Sequence, residues 1–497
     1  MIKKTKILFI YPNTMMATLI PINLCILAAC LKENGFNAEL FDTTYYKTEE
    51  VSFEEKKVEL LQLKEFKLED KGVEFIKTDI YDDLVKKIEI YKPDLIGITI
   101  VEDTFELAKS LLEAIRRFNV PVIAGGVFVT FNPEEVITNQ DIDMLCVGEG
   151  EEALVELCEK IENGENYRNI KNLWVKTDSG VIKNDPRPLM DINKLPYIDY
   201  EIFGVKRLFR PMYGKIYSMI HVEVDRGCPY DCTYCEAPQL RRLYQNFGGG
   251  YYRKKTPKRC IDEMKFLVDK YNPDYINFNA ESFLAKTVEE LKEFSELYKK
   301  YIQLPFWCQS RPETVAEEKI VLLKNMGCNT LQFGIEHGNE DFRAKILNRR
   351  SSNKHIVEGL KLVEKYNIPY TVNNIIGFPG ETRELVFDTI NLNRQFNART
   401  TNCYMLTPYK GTTIYKYCIE HGLLDENTKV HQALDGAKMK WDTITYDELK
   451  GLQRTFNLYV KMPEQEWGKI RIAEKFDENG NKVFEELRKI YYERYFS

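Results

Sequence analysis

Histidine is scarce and comes late. The chain has 497 residues and five histidines, the first of them His221. The N-terminal region can therefore offer a metal no imidazole ligand of its own. Long apolar runs are missing as well. The longest mostly apolar stretch, 19–31, is interrupted by Asn23 and is too short to span a bilayer. Residues 7–11, after a basic start, are too short for the apolar core of a signal peptide, so no transmembrane segment and a cytoplasmic location are expected. There is no basic excess: the formal net charge of -6 argues against general nucleic-acid binding. Internal repeats and low-complexity segments are absent. Twelve cysteines in a chain of this length do not make a disulfide scaffold, and they read as belonging to a reducing compartment. What remains is ordinary globular composition, 44% apolar and 29% charged, long enough for several domains and a large core.

Three of the cysteines stand together in Arg226-Gly227-Cys228-Pro229-Tyr230-Asp231-Cys232-Thr233-Tyr234-Cys235, directly after the apolar-alternating run 219–224. The spacing is Cys-x3-Cys-x2-Cys. Three thiolates on one tight loop can hold three irons of a 4Fe–4S cluster and leave the fourth without a protein ligand, where usual sites use four cysteines. An open metal position is where substrate or cosubstrate binds. The alternatives are a zinc knuckle or three buried thiols. Zinc would want a fourth Cys or His at short spacing, and the next cysteine is Cys260.

Before this loop the chain alternates strand-like and helix-like patterns. Apolar β runs fall at 6–11, 38–41, 94–100, 121–124 and 144–147, with helical patterns at 24–34, 104–118 and 151–161. Such alternation predicts a doubly wound parallel sheet, of flavodoxin or Rossmann type, over residues 1–165. Its ligand would sit beyond the carboxyl ends of the strands, at loops 12–18, 42–45, 99–104, 125–130 and 148–150. The charged insert 49–92 reads as a solvated helical face. A connector is expected over 166–215, with a small hairpin at 173–175 and 180–183 and prolines that prevent a long helix.

From residue 216 to 425 the rhythm resumes, with strands expected at 219–224, 275–280, 306–310, 330–335, 371–376 and 402–407. Six βα units imply a partial (β/α)6 TIM-type barrel, whose site lies at the C-terminal strand ends, the face on which the three cysteines fall. Alternation points Asn277, Asn279, Gln309, Gln332 and Tyr404 inward. Arg241, Arg242, Arg253, Lys254, Lys255, Lys258 and Arg259 form a basic cluster around Gly248-Gly249-Gly250; it would bind an anionic substrate or stand as a solvated loop. Residues 426–497 read as a helical tail, amphipathic at 440–460 and 483–495.

The cysteine spacing, with an aromatic residue before the last cysteine, resembles the signature of the radical S-adenosylmethionine (SAM) enzymes. The barrel adds Asn277-Phe278-Asn279-Ala280-Glu281, Gly334-Ile335-Glu336-His337-Gly338, Gly377-Phe378-Pro379-Gly380-Glu381-Thr382, and Pro408, Gly411 and Thr412. The N-terminal region resembles the cobalamin-binding domain that precedes the barrel in one large class of these enzymes. That resemblance is carried by Pro21-Ile22-Asn23-Leu24, Leu27-Ala28-Ala29, Gly35, Pro93-Asp94-Leu95-Ile96-Gly97-Ile98-Thr99, Gly125-Gly126 and Val147-Gly148-Glu149-Gly150-Glu151. It implies a 4Fe–4S cluster on Cys228, Cys232 and Cys235, which are then the catalytic and metal-binding residues. Tyr234, Glu281, Glu336, Gly377, Pro379 and Gly380 would face SAM, and Thr14, Thr99, Gly125, Gly126, Gly148 and Glu149 would face cobalamin. Two departures matter. Ala280 stands where a second carboxylate is usual. Pro12-Asn13-Thr14-Met15-Met16 replaces the Asp-x-His-x-x-Gly of cobalamin proteins that donate a histidine to cobalt, so cobalt would receive none here.

The activity so implied is reductive cleavage of SAM to a 5′-deoxyadenosyl radical, hydrogen abstraction from an unactivated carbon, and methylation of that carbon from methylcobalamin. The expected partners are a small-molecule substrate, anionic if it binds the basic cluster, and a reductant such as flavodoxin or ferredoxin. Radical cyclisation or rearrangement without methyl transfer is the rival activity, and a non-catalytic iron–sulfur sensing or binding module is the rival class.

Overall fold

The apolar runs of the N-terminal half become strands buried on both faces, as a parallel sheet requires. In the computed structural model, which describes residues 4–248, 250–426, 428 and 434–496, these are β1 (Lys6–Tyr11), β2 (Asn37–Asp42), β3 (Leu95–Thr99), β4 (Val122–Gly125) and β5 (Met144–Cys146). They pair in parallel in the order β2-β1-β3-β4-β5. Leu8, Ile10, Ile96 and Ile98 pack into one face and Ile7, Phe9, Leu95 and Ile123 into the other. The order reverses between β1 and β3, which opens a crevice at their carboxyl ends.

The hairpin β6 (Leu173–Thr177) and β7 (Gly180–Lys183) forms where expected, and it extends this sheet antiparallel to β5. The other end of the same segment supplies β8 (Phe209–Met212), an edge strand of the second sheet. Residues 166–215 are thus built into both sheets rather than strung between them.

The second sheet contains β9 (Lys215–Glu223), β12 (Tyr275–Asn279), β13 (Phe306–Ser310), β14 (Cys328–Glu336), β15 (Tyr370–Ile376) and β16 (Thr400–Met405), parallel and in sequence order; the short pair β10 (Asp225–Arg226) and β11 (Arg253–Lys254) lies above it. The full order, β16-β15-β14-β13-β12-β9-β8, leaves β8 and β16 as unpaired edges, so the barrel is open. Its lumen is polar. Gln332 and Asn402 both donate to Asn373 Oδ1 (3.0 and 2.8 Å), and the Asn277 amide meets His221 Nδ1 at 2.8 Å.

The helix Ile22–Glu33 explains the apolar stretch that is too short for a membrane. It is sandwiched between the sheets: Leu24 and Leu31 join the core of the first, Ile22, Cys25, Ile26 and Cys30 that of the barrel. A helix apolar all round is one covered on all sides. Among the described residues no helix is long and apolar enough to cross a membrane.

The insert 49–92 departs from the expected solvated face. Leu61 is fully buried in a core with Leu452 and Phe456 of the C-terminal helix Tyr446–Lys461. The Gln62 amide donates to Cys403 O of the edge strand β16 (3.0 Å), as does Gln453 (3.2 Å), while Asn457 Oδ1 accepts from Thr401 N (3.4 Å). Side-chain amides thereby satisfy a strand edge that would otherwise seek another chain. The tail continues as Trp467–Ala473 and Glu478–Arg494. Residues 1–3 of the first region, Gly249 of the glycine run, and residues 427, 429–433 and 497 of the tail lie outside the described residues.

Candidate active site

The cysteine loop leaves the C-terminal end of β9 and is held from every side. Gly227 has φ +90°, and a Cβ there would run into the Tyr251 carbonyl, so only glycine passes beneath the β10–β11 pair. Thr233 donates through N and Oγ1 to Leu347 O and Ile346 O (3.2 and 2.6 Å) and accepts from Ile414 N (2.9 Å). Asn348 Nδ2 reaches Asp231 O at 2.9 Å. Cys228 and Cys235 are half-buried, Cys232 is buried, and all three are free thiols. Arg311 Nη1 lies 3.6 Å from Cys232 Sγ, with its guanidinium 3.8 Å from the Tyr230 ring centroid. Burial pushes the Cys228 thiol up to about 11 and Cys235 up to about 12, so metal binding must displace protons. Three free thiols on one braced loop, with a cation beside one sulfur, are the donor set for a cluster with three protein-bound irons; among the described residues no group of side chains converges on a single metal ion.

Around the loop stands an ion network that sequence reading missed except for Glu336. Arg349 donates to Glu336 Oε1 (3.1 Å), to both Glu313 oxygens (3.3 Å each) and to Gly334 O (2.8 Å); Arg311 pairs with Glu313 at 2.5 Å. Glu336 sits at a β-bulge with φ +69°, a strained conformation for a carboxylate residue. Burial raises its carboxyl, and Arg349 opposes that shift. Tyr234 Oη lies 3.4 Å from Arg349 Nη1, and burial drives its phenol well above its ordinary value. Glu281 is open to the cleft and forms no hydrogen bond among the described residues; surrounding protein and then Asp225 raise its carboxyl.

The loop after β15 faces the tail. The Gly377 carbonyl accepts from Trp441 Nε1 (2.9 Å), and a Cβ on Gly377 would touch Leu449 (3.4 Å) and Trp441 (3.5 Å). Buried Glu381 accepts from Gly377 N and Phe378 N and meets His337 Nε2 at 3.1 Å. Nothing within 4 Å opposes a Cβ on Gly380. Pro379 completes this turn.

A cavity of about 530 Å³ lies at the carboxyl ends of the first sheet. Thr99, Gly125, Gly126, Gly148 and Glu149 line it together with an apolar wall that includes Pro21, Ile22, Leu24 and Leu27. Glu223, Arg226, Tyr244, Tyr251 and Asn279 close it from the barrel side. Apolar side chains and glycine backbone fit a large, largely apolar macrocycle, and among the described residues no imidazole lines the cavity. Thr14 does not belong to the wall. Its carbonyl closes a turn to Ala17 N (3.0 Å), fastened by Asn13 Nδ2 to Ala17 O and Thr44 Oγ1 (2.9 and 2.8 Å). The two glycines of the Gly125-Gly126 pair also differ. Gly126 has φ +109°, and a Cβ would lie 2.6 Å from Ile100 O, so backbone approach rather than ligand space demands glycine there. At Gly125 a Cβ would meet Cys146 Cβ at an ordinary 3.8 Å.

Glu149 and Gly148 serve the junction between the sheets. Arg226 pairs with Glu151 (2.7 Å), Glu223 (2.8 Å) and Glu149 (3.1 Å), and Arg253 also pairs with Glu149. Burial opposes ionisation of Glu149, but the two guanidinium groups outweigh it and hold the carboxyl below its ordinary value. Tyr244 accepts from Glu149 N at 2.7 Å and fills the space where a Gly148 side chain would be.

Carboxylates gather where the two strand-end faces meet. Glu102 and Asp103 follow β3, and Glu236 follows Cys235. Tyr409 Oη donates to Asp103 (3.3 Å), and Lys410 N donates to Glu102 (2.8 Å). Burial, reinforced by neighbouring carboxylates, pushes Asp103 and Glu236 up to about 7, within reach of proton transfer near neutrality.

The basic cluster, by contrast, is already neutralised. Arg241 pairs with Asp231, Arg253 with Glu149, Lys254 with Glu290, Lys255 and Arg259 with Glu263, and Lys258 with Asp262. Among the described residues Arg242 alone of the seven has no such ion pair, and it is exposed at the surface. An anion reaching this cluster would have to compete with these carboxylates.

Known proteins agree with this geometry. The B12 binding domain family matches residues 13–158, and the Radical SAM superfamily matches residues 222–392. An uncharacterized methyltransferase of Pyrococcus horikoshii is 25% identical over 422 residues, covering 83% of this chain and 88% of its own. The anaerobic magnesium-protoporphyrin IX monomethyl ester cyclase of Rubrivivax gelatinosus is 22% identical over 359 residues, covering 69% of this chain and 62% of its own. In fold, the chain is similar to the radical SAM methyltransferase TsrM of Kitasatospora setae, a structure with cobalamin and a [4Fe-4S] cluster bound (TM-score 0.64, 18% identity, 93% of this chain and 82% of that one). A B12-binding domain stands before a radical SAM barrel, and the cysteine loop and the cavity face each other across their junction; the chain belongs to the cobalamin-dependent radical SAM enzymes.

Proposed function

We propose that this enzyme methylates an unactivated carbon of a small-molecule substrate held between the cysteine loop and the cavity of the B12-binding domain. The observation that carries the reading is the shared cavity, lined at once by Thr99, Gly125 and Glu149 of the first sheet and by Arg226, Tyr251 and Asn279 of the barrel. We take residues 1–165 as the cobalamin-binding domain, 166–215 as the connection, 216–425 as the barrel and 426–497 as its cover. When bound, the cluster, SAM and cobalamin supply a reducing electron, an adenosyl radical and a methyl group.

The chain's own residues position and shield. Cys228, Cys232 and Cys235 hold the cluster, with Arg311 steadying the charge on Cys232. Glu281, free of other hydrogen bonds, receives the SAM amine, since a charge-assisted bond favours a carboxylate there. Tyr234, Glu336 and the turn Gly377-Phe378-Pro379-Gly380 shape the rest of that site. Arg226 and Arg253 clamp Glu149 and so fix the distance between the two strand-end faces. Asp103 and Glu236 hold protons beside the reacting region. A flavodoxin or ferredoxin delivers the electron in the cytoplasm.

A second reading, cyclisation or rearrangement with no methyl transferred, is favoured by the similarity to the anaerobic cyclase. Product analysis under anaerobic, reducing conditions separates the two. Methyl transfer yields S-adenosylhomocysteine and 5′-deoxyadenosine together. 5′-Deoxyadenosine alone would favour the second reading, and neither product would return the chain to a sensing role.

A further inference from the structure

A second cavity, about 250 Å³, occupies the lumen of the barrel, walled by strand interiors and by the insert that fills the open side. It has room for a small organic acid but not for a corrin. Arg210 of β8 lines it, with its guanidinium 5.5 Å from the Trp307 ring centroid. Arg210 is half-buried, and among the described residues its buried Nη1 atom has no hydrogen-bond partner. Burial lowers the affinity of this guanidinium for its proton, an effect only partly offset by Glu54. Glu54 is engaged elsewhere: it pairs with Lys57 (3.8 Å) and accepts from Thr18 Oγ1 (3.4 Å). With Lys64, the wall carries three cations against one carboxylate. Opposite in kind, Gln62 Oε1 is a buried acceptor without a donor, its amide nitrogen being spent on Cys403 O. A buried, unpaired charge is costly unless something that enters the cavity pairs with it. Leu19 lines both this cavity and the larger one at the B12-binding domain, so the two adjoin.

We propose that the lumen cavity is an anion subsite in which Arg210 binds the carboxylate or phosphate end of the substrate, with Gln62 accepting from a hydroxyl or amine on the same molecule. That this anion belongs to the substrate rests on the proposed function; that the cavity binds an anion does not.

Acetate and inorganic phosphate are titrated separately into the anaerobic full-length chain at constant ionic strength, following tryptophan emission. An anion that draws the guanidinium from the Trp307 face should change the emission saturably. The change should vanish in Trp307→Phe and need about tenfold or more higher anion in Arg210→Gln, the loss expected for one charged hydrogen-bond partner. It should persist in Lys258→Gln, an exposed control. Whichever anion binds more tightly identifies the acid group. No saturable change with either anion, or an undiminished one in Arg210→Gln, overturns the proposal. If Arg210→Gln does not fold, the wild type and Trp307→Phe decide, and equal responses overturn it. Cobalamin absorbance on the same samples keeps the two readings apart. Cobalamin bound without an anion response sinks the subsite alone, and an anion response without cobalamin sinks the cofactor reading alone.

Discussion

Under the proposed function, the cysteine loop and the cavity of the B12-binding domain solve the same problem, holding a cofactor between two sheets, by opposite means. The loop does it with side chains from ten consecutive residues. The cavity does it with backbone and apolar surface spread, within the first region, from Phe9 to Leu154. A side-chain site leaves its chemistry in the sequence, because each ligand type and spacing is dictated by the metal. A backbone site leaves only glycines, and glycine answers to several masters: Gly126 to the Ile100 backbone, Gly148 to Tyr244, Gly125 to neither.

The difference predicts separable failures. The largest effect belongs to the loop. Replacing Cys228, Cys232 and Cys235 together by alanine should reduce cluster iron to background in anaerobic iron and sulfide analysis while cobalamin still binds. Alanine at Cys260, Cys308, Cys328 or Cys403 should leave the iron content unchanged.

Next is the clamp between the regions. Arg226→Gln leaves Glu149, Glu151 and Glu223 without their shared cation, which should cost about 3 kcal/mol by the usual penalty for stranding buried charges. Calorimetry and limited proteolysis would detect the loosened junction, and no change in either would show that the two faces are held by packing alone.

The glycine pair sharpens the comparison inside the cavity. Gly126→Ala should destabilise the fold by roughly 1–3 kcal/mol, because φ +109° and the 2.6 Å approach to Ile100 O exclude a side chain. Gly125→Ala should be close to neutral for stability yet weaken cobalamin binding, since its methyl group enters the cavity wall without a clash. Equal effects of the two on stability would contradict this division.

The smallest effect is electrostatic. Asp103 has its folded value raised to about 7, so its contribution favours the folded state below the ordinary carboxylate range and is lost as pH rises through 7. Asp103→Asn should therefore match the wild type in unfolding free energy near pH 4 and exceed it above pH 7, by on the order of 1–2 kcal/mol once solvent screening is allowed for. A difference that stays constant with pH would mean that the carboxyl is not perturbed.

Much of this was legible in the sequence where cause and effect lie close together. The strands of both sheets follow from alternating patterns, and the order of the barrel strands from the rule that successive βα units sit side by side; the first sheet departs from it where β1 stands between β2 and β3. Five of the six positions expected to face cobalamin line the cavity. What stayed hidden depends on partners far along the chain. The Gln62 amide finds Cys403 O across 341 residues, which turned an apparently solvated insert into the plug of an open barrel. The partners of Arg349 and Arg226 are carboxylates that only the fold brings to them. The pairing of the basic run 241–259 stayed hidden for the same reason, because charge along a sequence says nothing about which carboxylates return to meet it. Thr14 stands outside the cavity lining because its carbonyl closes a turn within the loop, which in sequence looks like any other polar position at a strand end.

The account stands most directly on a B12-binding domain that receives cobalamin and gives cobalt no histidine. The chain, produced with ¹⁵N-labelled and with unlabelled histidine, would be loaded anaerobically with cobalamin and reduced to the cob(II)alamin state for EPR. The account predicts bound cobalamin with nitrogen hyperfine structure identical in the two samples. A pattern that changes with the histidine isotope, or a chain that binds no cobalamin, would contradict it.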